Sequence, residues 1–215
     1  LVVRAPYGGG VRGALYHSQS VEAFFAHTPG LKVVTPATPY DAKGLLKTAI
    51  RDDDPVIFLE HKRTYRLVRG EVPDEEYTLP IGQAEVKLEG EDISVITYGL
   101  MLHHCLEVAR ELAQEGINAE VVDLRTVRPL DKETILQTVR KTGKALIVHE
   151  DTKAGGIGGE VAAIVAEQAF DHLDAPVARL AGPEVPAMPF APTLEAVFMP
   201  DTDRVVAAMR ELARY

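Results

Sequence analysis

Cysteine is almost missing from this chain. Cys105 stands alone, so no internal disulfide can form, and a reducing cytoplasm suits the composition. No apolar run is long enough to cross a bilayer, and no secretory signal pattern is present. An excess of positive charge is lacking too. The 215 residues carry a formal net charge of −9, which argues against nonspecific nucleic-acid binding and suits solubility or a basic protein partner. There is no Gly-x-Ser-x-Gly elbow, and Cys105 falls on an apolar helix pattern, so nucleophilic catalysis has no candidate. His103 and His104 have only Glu107 near them at helical spacing, too little for zinc. An opening methionine is also missing. The chain starts at Leu1 inside a strand pattern, as expected of a protein that continues upstream.

What is present is an ordinary globular composition, 46% hydrophobic and 26% charged, of a length for one large domain or two small ones. Leu1–Val3 reads as a strand, Val21–Thr28 as a helix and Leu31–Pro36 as a strand. A helix begins at Pro39 and carries Ala42, Leu45, Leu46, Ala49 and Ile50 on one face. Val56–Glu60 is apolar throughout but for its last residue, the pattern of a strand covered on both sides. From His61 to Gly82 the chain is charged and marked by proline, which reads as a linker. A second α/β unit follows, with strands at Ile93–Gly99, Ala119–Leu124, Ala145–Glu150 and Val177–Leu180. Its helices carry Leu102 to Ala113, Ile135 to Val139 behind an Asp131 cap, Val161 to Val165, and Val205 to Ala213. Pro183–Pro200 reads as a proline-rich loop. Alternating strands and helices with short turns predict a doubly wound parallel sheet.

Four stretches carry potential chemistry. In Gly8-Gly9-Gly10-Val11-Arg12-Gly13-Ala14-Leu15-Tyr16-His17-Ser18-Gln19-Ser20, glycines precede an imidazole flanked by hydroxyls and an amide. A strand, a glycine loop, a polar cluster and a helix form the usual site at the carboxyl end of a parallel sheet, and His17 could move a proton near neutral pH. The plainer alternative is a hydrogen-bonded loop histidine. Gly155–Gly159 could hold phosphate at a helix start, but Val161 stands where the dinucleotide fingerprint ends in glycine, so tight packing is the better reading. His149, Glu150 and Asp151 end a strand and are open to a role in a site. Asp52 and Asp54 follow the helix end at Ala49, where free carbonyls and carboxylates could hold a hard cation, or simply face solvent.

Gly13–Ser20 followed by Glu22-Ala23-Phe24-Phe25-Ala26-His27 resembles the β subunit of 2-oxo acid dehydrogenase E1 components. Pro39–Leu46, Asp52–Glu60 and Glu120–Thr126 with Pro129 match the same family, and the similarity runs through the whole chain in register. The resemblance implies part of a pyrimidine-binding domain plus linker over 1–80 and a transketolase C-terminal-type domain over 81–215. Roughly a hundred further residues would lie upstream, enough to complete an α/β domain. It implies thiamin diphosphate and magnesium shared with an E1 α subunit in an α2β2 heterotetramer, with the pyrimidine-activating glutamate upstream of Leu1. His17 would be the active-site histidine, orienting substrate and moving a proton during decarboxylation of a 2-oxo acid or acyl transfer to lipoyl. Branched-chain 2-oxo acids and pyruvate both remain open as substrates. A structural potassium would sit at Leu1, Val2, Ala49, Asp52 and Asp54, mainly on backbone oxygens. The final helix and the carboxylate of Tyr215 would dock the peripheral-subunit-binding domain of E2, whose lipoyl domain receives the acyl group. Asp201, Asp203 and Glu211 favour a basic partner there, while Arg204, Arg210 and Arg214 oppose it. The alternative of another class is a non-catalytic assembly module that docks E2 or an α subunit.

Overall fold

Burying apolar runs while pairing backbone N–H and C=O groups leaves this chain two sheets with helices on their faces. The computed structural model describes residues 1–215. β1 (Val2–Tyr7) passes through the glycine loop into α1 (Ala14–His17) and α2 (Glu22–Ala26), then β2 (Lys32–Val34). α3 (Pro39–Arg51) starts where the Thr38 hydroxyl accepts from the Asp41 amide at 3.1 Å, with Pro39 in the turn that needs no N–H. β3 (Val56–His61) and the single turn α4 (Thr64–Leu67) follow. The second half runs β4 (Glu85–Leu88), β5 (Ile93–Thr97), α5 (Leu100–Ala113), β6 (Ala119–Asp123), β7 (Thr126–Arg128) and α6 (Lys132–Thr142). It ends with β8 (Ala145–Thr152), α7 (Ile157–Gln168), β9 (Ala178–Gly182), α8 (Pro192–Phe198) and α9 (Thr202–Ala213).

The first sheet has the order β1-β3-β2-β7 and the second β4-β6-β5-β8-β9. Three hydrophobic layers hold them. Val34, Leu45, Ala49, Val56 and Phe58 pack α3 on one face of the first sheet. On its other face, Tyr7, Val33, Ile57 and Leu59 join Ile96, Ile147 and the apolar sides of α6 and α7 in one cluster. The far face of the second sheet is covered by α5 and α9, through Leu102, Cys105, Leu112, Val205, Met209 and Leu212. The middle cluster therefore belongs to both halves of the chain. Each half helps to bury the other.

The doubly wound α/β expectation holds, with α5 and α9 on one face of the second sheet and α6 and α7 on the other, but the sheets are not parallel throughout. β4 runs antiparallel to β6, and β7 runs antiparallel to β2, so both sheets are mixed. β4 escaped notice because Glu85 and Lys87 alternate with Val86 and Leu88, the pattern of an edge strand and not of a buried parallel one. β7 is only three residues long and follows the sharp turn at Arg125, whose φ is +53°. The proline-rich stretch 183–200 also contains a helix, α8, which Pro192 starts instead of breaking.

Asp131 does two jobs at the junction of these elements. Its carboxylate accepts from the Thr134 amide at 3.1 Å to cap α6, and from the Ala84 amide at 2.9 Å to tie down the approach to β4. Asp131→Ala is expected to cost about 1–2 kcal/mol, the range for a lost cap with a stranded amide. An unchanged urea midpoint in the purified chain would contradict this.

Candidate functional site

The glycine loop between β1 and α1 is laid over side chains from both halves of the chain. A Cβ on Gly8 would overlap the His61 imidazole, and one on Gly9 would overlap the sulfur of Met199. Gly8 and Gly10 also hold φ at +89° and +81°, where glycine alone is unstrained. Arg12 and Ala14 follow at +60° and +47°, which a side chain makes costly. Two of the three non-glycine residues with positive φ thus lie at the entry to α1, the turn that ends in His17. That imidazole is exposed, while Ser18 behind it is buried and accepts from the Gly13 amide at 2.9 Å.

Beneath the loop lies a buried polar cluster. His61 Nε2 lies 2.6 Å from Glu150 Oε1, and the Gly9 amide donates to Glu150 Oε2 at 2.9 Å. Burial pushes the Glu150 carboxyl up, but His61 and the Gly9 N–H outweigh it and hold the group below the usual carboxylate range. An ionised carboxylate only accepts, so Nε2 of His61 carries the proton and Nδ1 is left without a partner. The amides of Gly10 and Arg12 both donate to Glu195 Oε1, each at 3.0 Å. Glu22 is the opposite case. Burial and then the charge of Asp151 push it up to about 8, so it is neutral at pH 7. The Tyr98 hydroxyl lies 2.7 Å from its Oε1, and Oε2 has no partner. Burial likewise raises Asp151 and lowers His149 to about 4.

The other sequence candidates fall in separate places. A Cβ on Gly156 would overlap the Thr152 carbonyl and the His149 ring, and one on Gly158 the same ring, whose Nε2 accepts from the Gly158 amide at 3.2 Å, so that loop packs tightly. His103 lies 2.8 Å from the Ala37 carbonyl. Asp52 and Asp54 come together, but on the Lys32 ammonium, at 2.7 Å and 3.1 Å. Lys32 holds the Asp52 carboxyl below its usual range. Their carboxylates are thus engaged by a cation of the chain itself. The carbonyl of Leu1 accepts from Val56 N at 2.8 Å and that of Ala49 from Asp52 N at 3.3 Å, while Val2 sits opposite Val56 in the ladder. Each carbonyl keeps a second lone pair.

None of the five main hollows is lined by His17. One of about 590 Å³ lies beside the glycine loop, walled by Arg12, Lys62, Arg63 and Arg66. Nor does any of these five pair a carboxyl with apolar walls next to His17. Glu150 was legible as a strand-end acid after an apolar run. Glu195, His61 and Glu22 carried no such signal, because their partners are far away in sequence.

The glycine loop leaves the carboxyl end of β1 and is closed over by Glu150 and Glu195 of the second α/β unit. The chain belongs to the transketolase C-terminal domain family, which matches residues 82–205, and the family described as transketolase, pyrimidine binding domain matches residues 1–68. It is 66% identical over 215 residues to the 2-oxoisovalerate dehydrogenase subunit beta of Bacillus subtilis (strain 168), covering all of this chain and 66% of that protein. The pyruvate dehydrogenase E1 component subunit beta of the same organism is 50% identical, again over 100% of this chain and 66% of the relative. The acetoin:2,6-dichlorophenolindophenol oxidoreductase subunit beta of Cupriavidus necator is 49% identical over 211 residues, 98% of this chain and 62% of its own length. Just under two thirds of each relative is therefore represented. A solved split gene transketolase, described as an inactive beta4 tetramer, superposes with a TM-score of 0.78 at 25% identity, over 99% of this chain and 65% of that one.

Glu22 makes stability depend on pH. The unfolded carboxyl ionises near pH 4.5 and the folded one near 8, so from pH 4.5 to 8 the native state keeps a proton that the unfolded chain gives up. Stability falls across that window by at most about 1.4 kcal/mol per pH unit. Glu22→Gln, which cannot titrate, is expected to flatten the fall between pH 6 and 8 in urea unfolding. Parallel curves for the two proteins would contradict the buried neutral acid.

Proposed function

We propose that this chain is the greater part of the β subunit of a thiamin-dependent E1 component, which oxidatively decarboxylates a 2-oxo acid and passes the acyl group to E2-bound lipoyl. The observation that carries this reading is the strained glycine loop, which presents an exposed imidazole, His17, in a chain similar throughout to 2-oxo acid dehydrogenase β subunits. The higher identity to the 2-oxoisovalerate enzyme favours a branched-chain 2-oxo acid over pyruvate. Thiamin diphosphate with magnesium would be held jointly with an E1 α subunit in an α2β2 heterotetramer, and supplies the electron sink for decarboxylation. This chain's share is His17, which orients the 2-oxo acid and moves a proton from its ring nitrogen. Domains at 1–80 and 81–215, and a reducing cytoplasm, complete the reading. Cys105 is buried there, its thiol pushed up to about 12, and stays inert. α9 buries Val205, Met209 and Leu212 and leaves Asp203 and Glu211 exposed, a face suited to a basic E2 binding domain.

A second reading, an assembly module without catalysis, is favoured by the inactive tetramer among the structural relatives. Thiamin titration with and without an α subunit separates the two. In the complete heteromer, His17→Ala is expected to lower acyl transfer about 10²–10⁴-fold with assembly intact, while this chain alone shows no turnover. A loss under about threefold, with normal cofactor binding, would remove His17 from the chemistry.

Potassium belongs to the same reading. With Asp52 and Asp54 held by Lys32, the ion would rest on main-chain carbonyls at Leu1, Val2, Ala49, Asp52 and Asp54. A ligand that binds only the native state raises Tm with its concentration. A higher Tm in potassium than in a bulky organic cation at matched ionic strength is the expected result; identical curves would rule the site out.

A further inference from the structure

Backbone amides that converge in alternating left- and right-handed turns normally cradle a bound anion. In this chain the anions are its own. Gly9, Gly10 and Arg12 turn their N–H groups away from solvent and donate to Glu150 Oε2 and Glu195 Oε1, at 2.9, 3.0 and 3.0 Å. Both carboxylates come from the second half of the chain, Glu150 from β8 and Glu195 from α8. They are 4% and 6% exposed, so water does not compete for them. Glu150 is itself fixed by His61 at 2.6 Å. Glu195 sits in the first turns of α8, its own amide donating to the Ala191 carbonyl at 2.9 Å. A further tie joins the same two regions, as the Met188 amide donates to Gln19 Oε1 at 3.0 Å.

These bonds oppose strain that lies between them and His17. Arg12 and Ala14 hold positive φ without being glycine, and such angles persist only where the surroundings over-determine them. Glu195 Oε1 grips Arg12 directly, and Ala14 opens the four-residue turn that ends in His17. Releasing the carboxylate lets Arg12 relax, and the turn shifts with it. We propose that Glu195, seconded by Glu150, is a positioning residue for His17: a carboxylate from the C-terminal domain that locks the active-site loop without touching substrate. Two amides converge on one oxygen, so the lock needs that oxygen in place; a neutral oxygen there still accepts both bonds, each about half as strong. The inference rests on the proposed role of His17, and the test keeps the two apart.

The experiment uses the assembled α2β2 enzyme and four variants: Glu195→Asp, Glu195→Gln, His17→Ala and His17→Ala with Glu195→Asp. Aspartate keeps the charge but draws the oxygen back by one methylene; glutamine keeps the oxygen in place. Glu195→Asp is expected to lower kcat about tenfold with KM nearly unchanged, since small misplacements of a catalytic group fall on the chemical step. Glu195→Gln keeps an acceptor with two lone pairs in the same place and should stay within about threefold of wild type. The double variant should be no slower than His17→Ala alone, because the two changes remove the same contribution. Independently of activity, hydrogen exchange in the cofactor-free heteromer should find the Gly9–Arg12 amides protected in wild type and Glu195→Gln, and open in Glu195→Asp. Unprotected amides in wild type overturn the proposal even if a variant fails to assemble. So does multiplication of the two kinetic losses, or wild-type kcat in Glu195→Asp. A silent His17→Ala beside a slow Glu195→Asp would instead sink the reading of His17.

Discussion

A carboxylate removed from water has to be met by donors or give up its charge, and that constraint shapes the seam between the two halves of this chain. Asp41, wholly buried in α3, is met by the Arg125 guanidinium at 3.3 Å and the Lys87 ammonium at 3.1 Å, both from the second half. Glu150 and Glu195, from the second half, are met by backbone amides of the first. Glu22 finds only the Tyr98 hydroxyl and keeps its proton. Each of these four carboxyls has a partner across the seam. The halves therefore share polar partners as well as the apolar cluster around Ile57, Leu59, Ile96 and Ile147.

Arg125 shows how much one residue can organise. Its φ of +53° lets its own amide reach Asp123 at 3.0 Å, which turns the chain from β6 into β7. The same side chain donates from Nε to the Gln83 carbonyl at 3.1 Å and from Nη1 to Glu85 at 3.0 Å, fixing the entry to β4. A planar guanidinium with five donors suits this multiple engagement, whereas an ammonium would satisfy fewer acceptors at fixed geometry. Beside it, burial and the charge of Asp41 raise Asp123 to about 7. The positive charge of Arg125 is thus shared among more acids than it can fully neutralise.

How much of this could be read from the residues alone depended on distance along the chain. Apolar runs such as Val56–Leu59 and Ala145–Val148 became strands because a run of that kind has few other ways to be buried. Asp131 and Gly143 bounded α6 as their local chemistry dictates. The glycine loop drew attention to His17 through composition. Glu150 stood out as a strand-end acid, but its link to the loop did not, and Glu195, a lone glutamate in a proline-rich stretch, looks like any surface acid. Edge strands failed for a related reason. Glu85 and Lys87 look like solvent residues until Asp41 and Arg125 are placed beside them.

The pairing of β7 with β2 bears on how the chain folds as it is made. Val33 and Val34 meet Arg128 and Thr126, so one edge of the first sheet is not closed until residues near 128 have left the ribosome. Until then β2 keeps an open row of amide and carbonyl groups, the kind of edge on which stray strands pair. Contacts so remote in sequence slow folding, since a long loop must close before any reward arrives. Synthesis from the N-terminus thus exposes the nascent first half while the second half, its missing strand included, is still being translated.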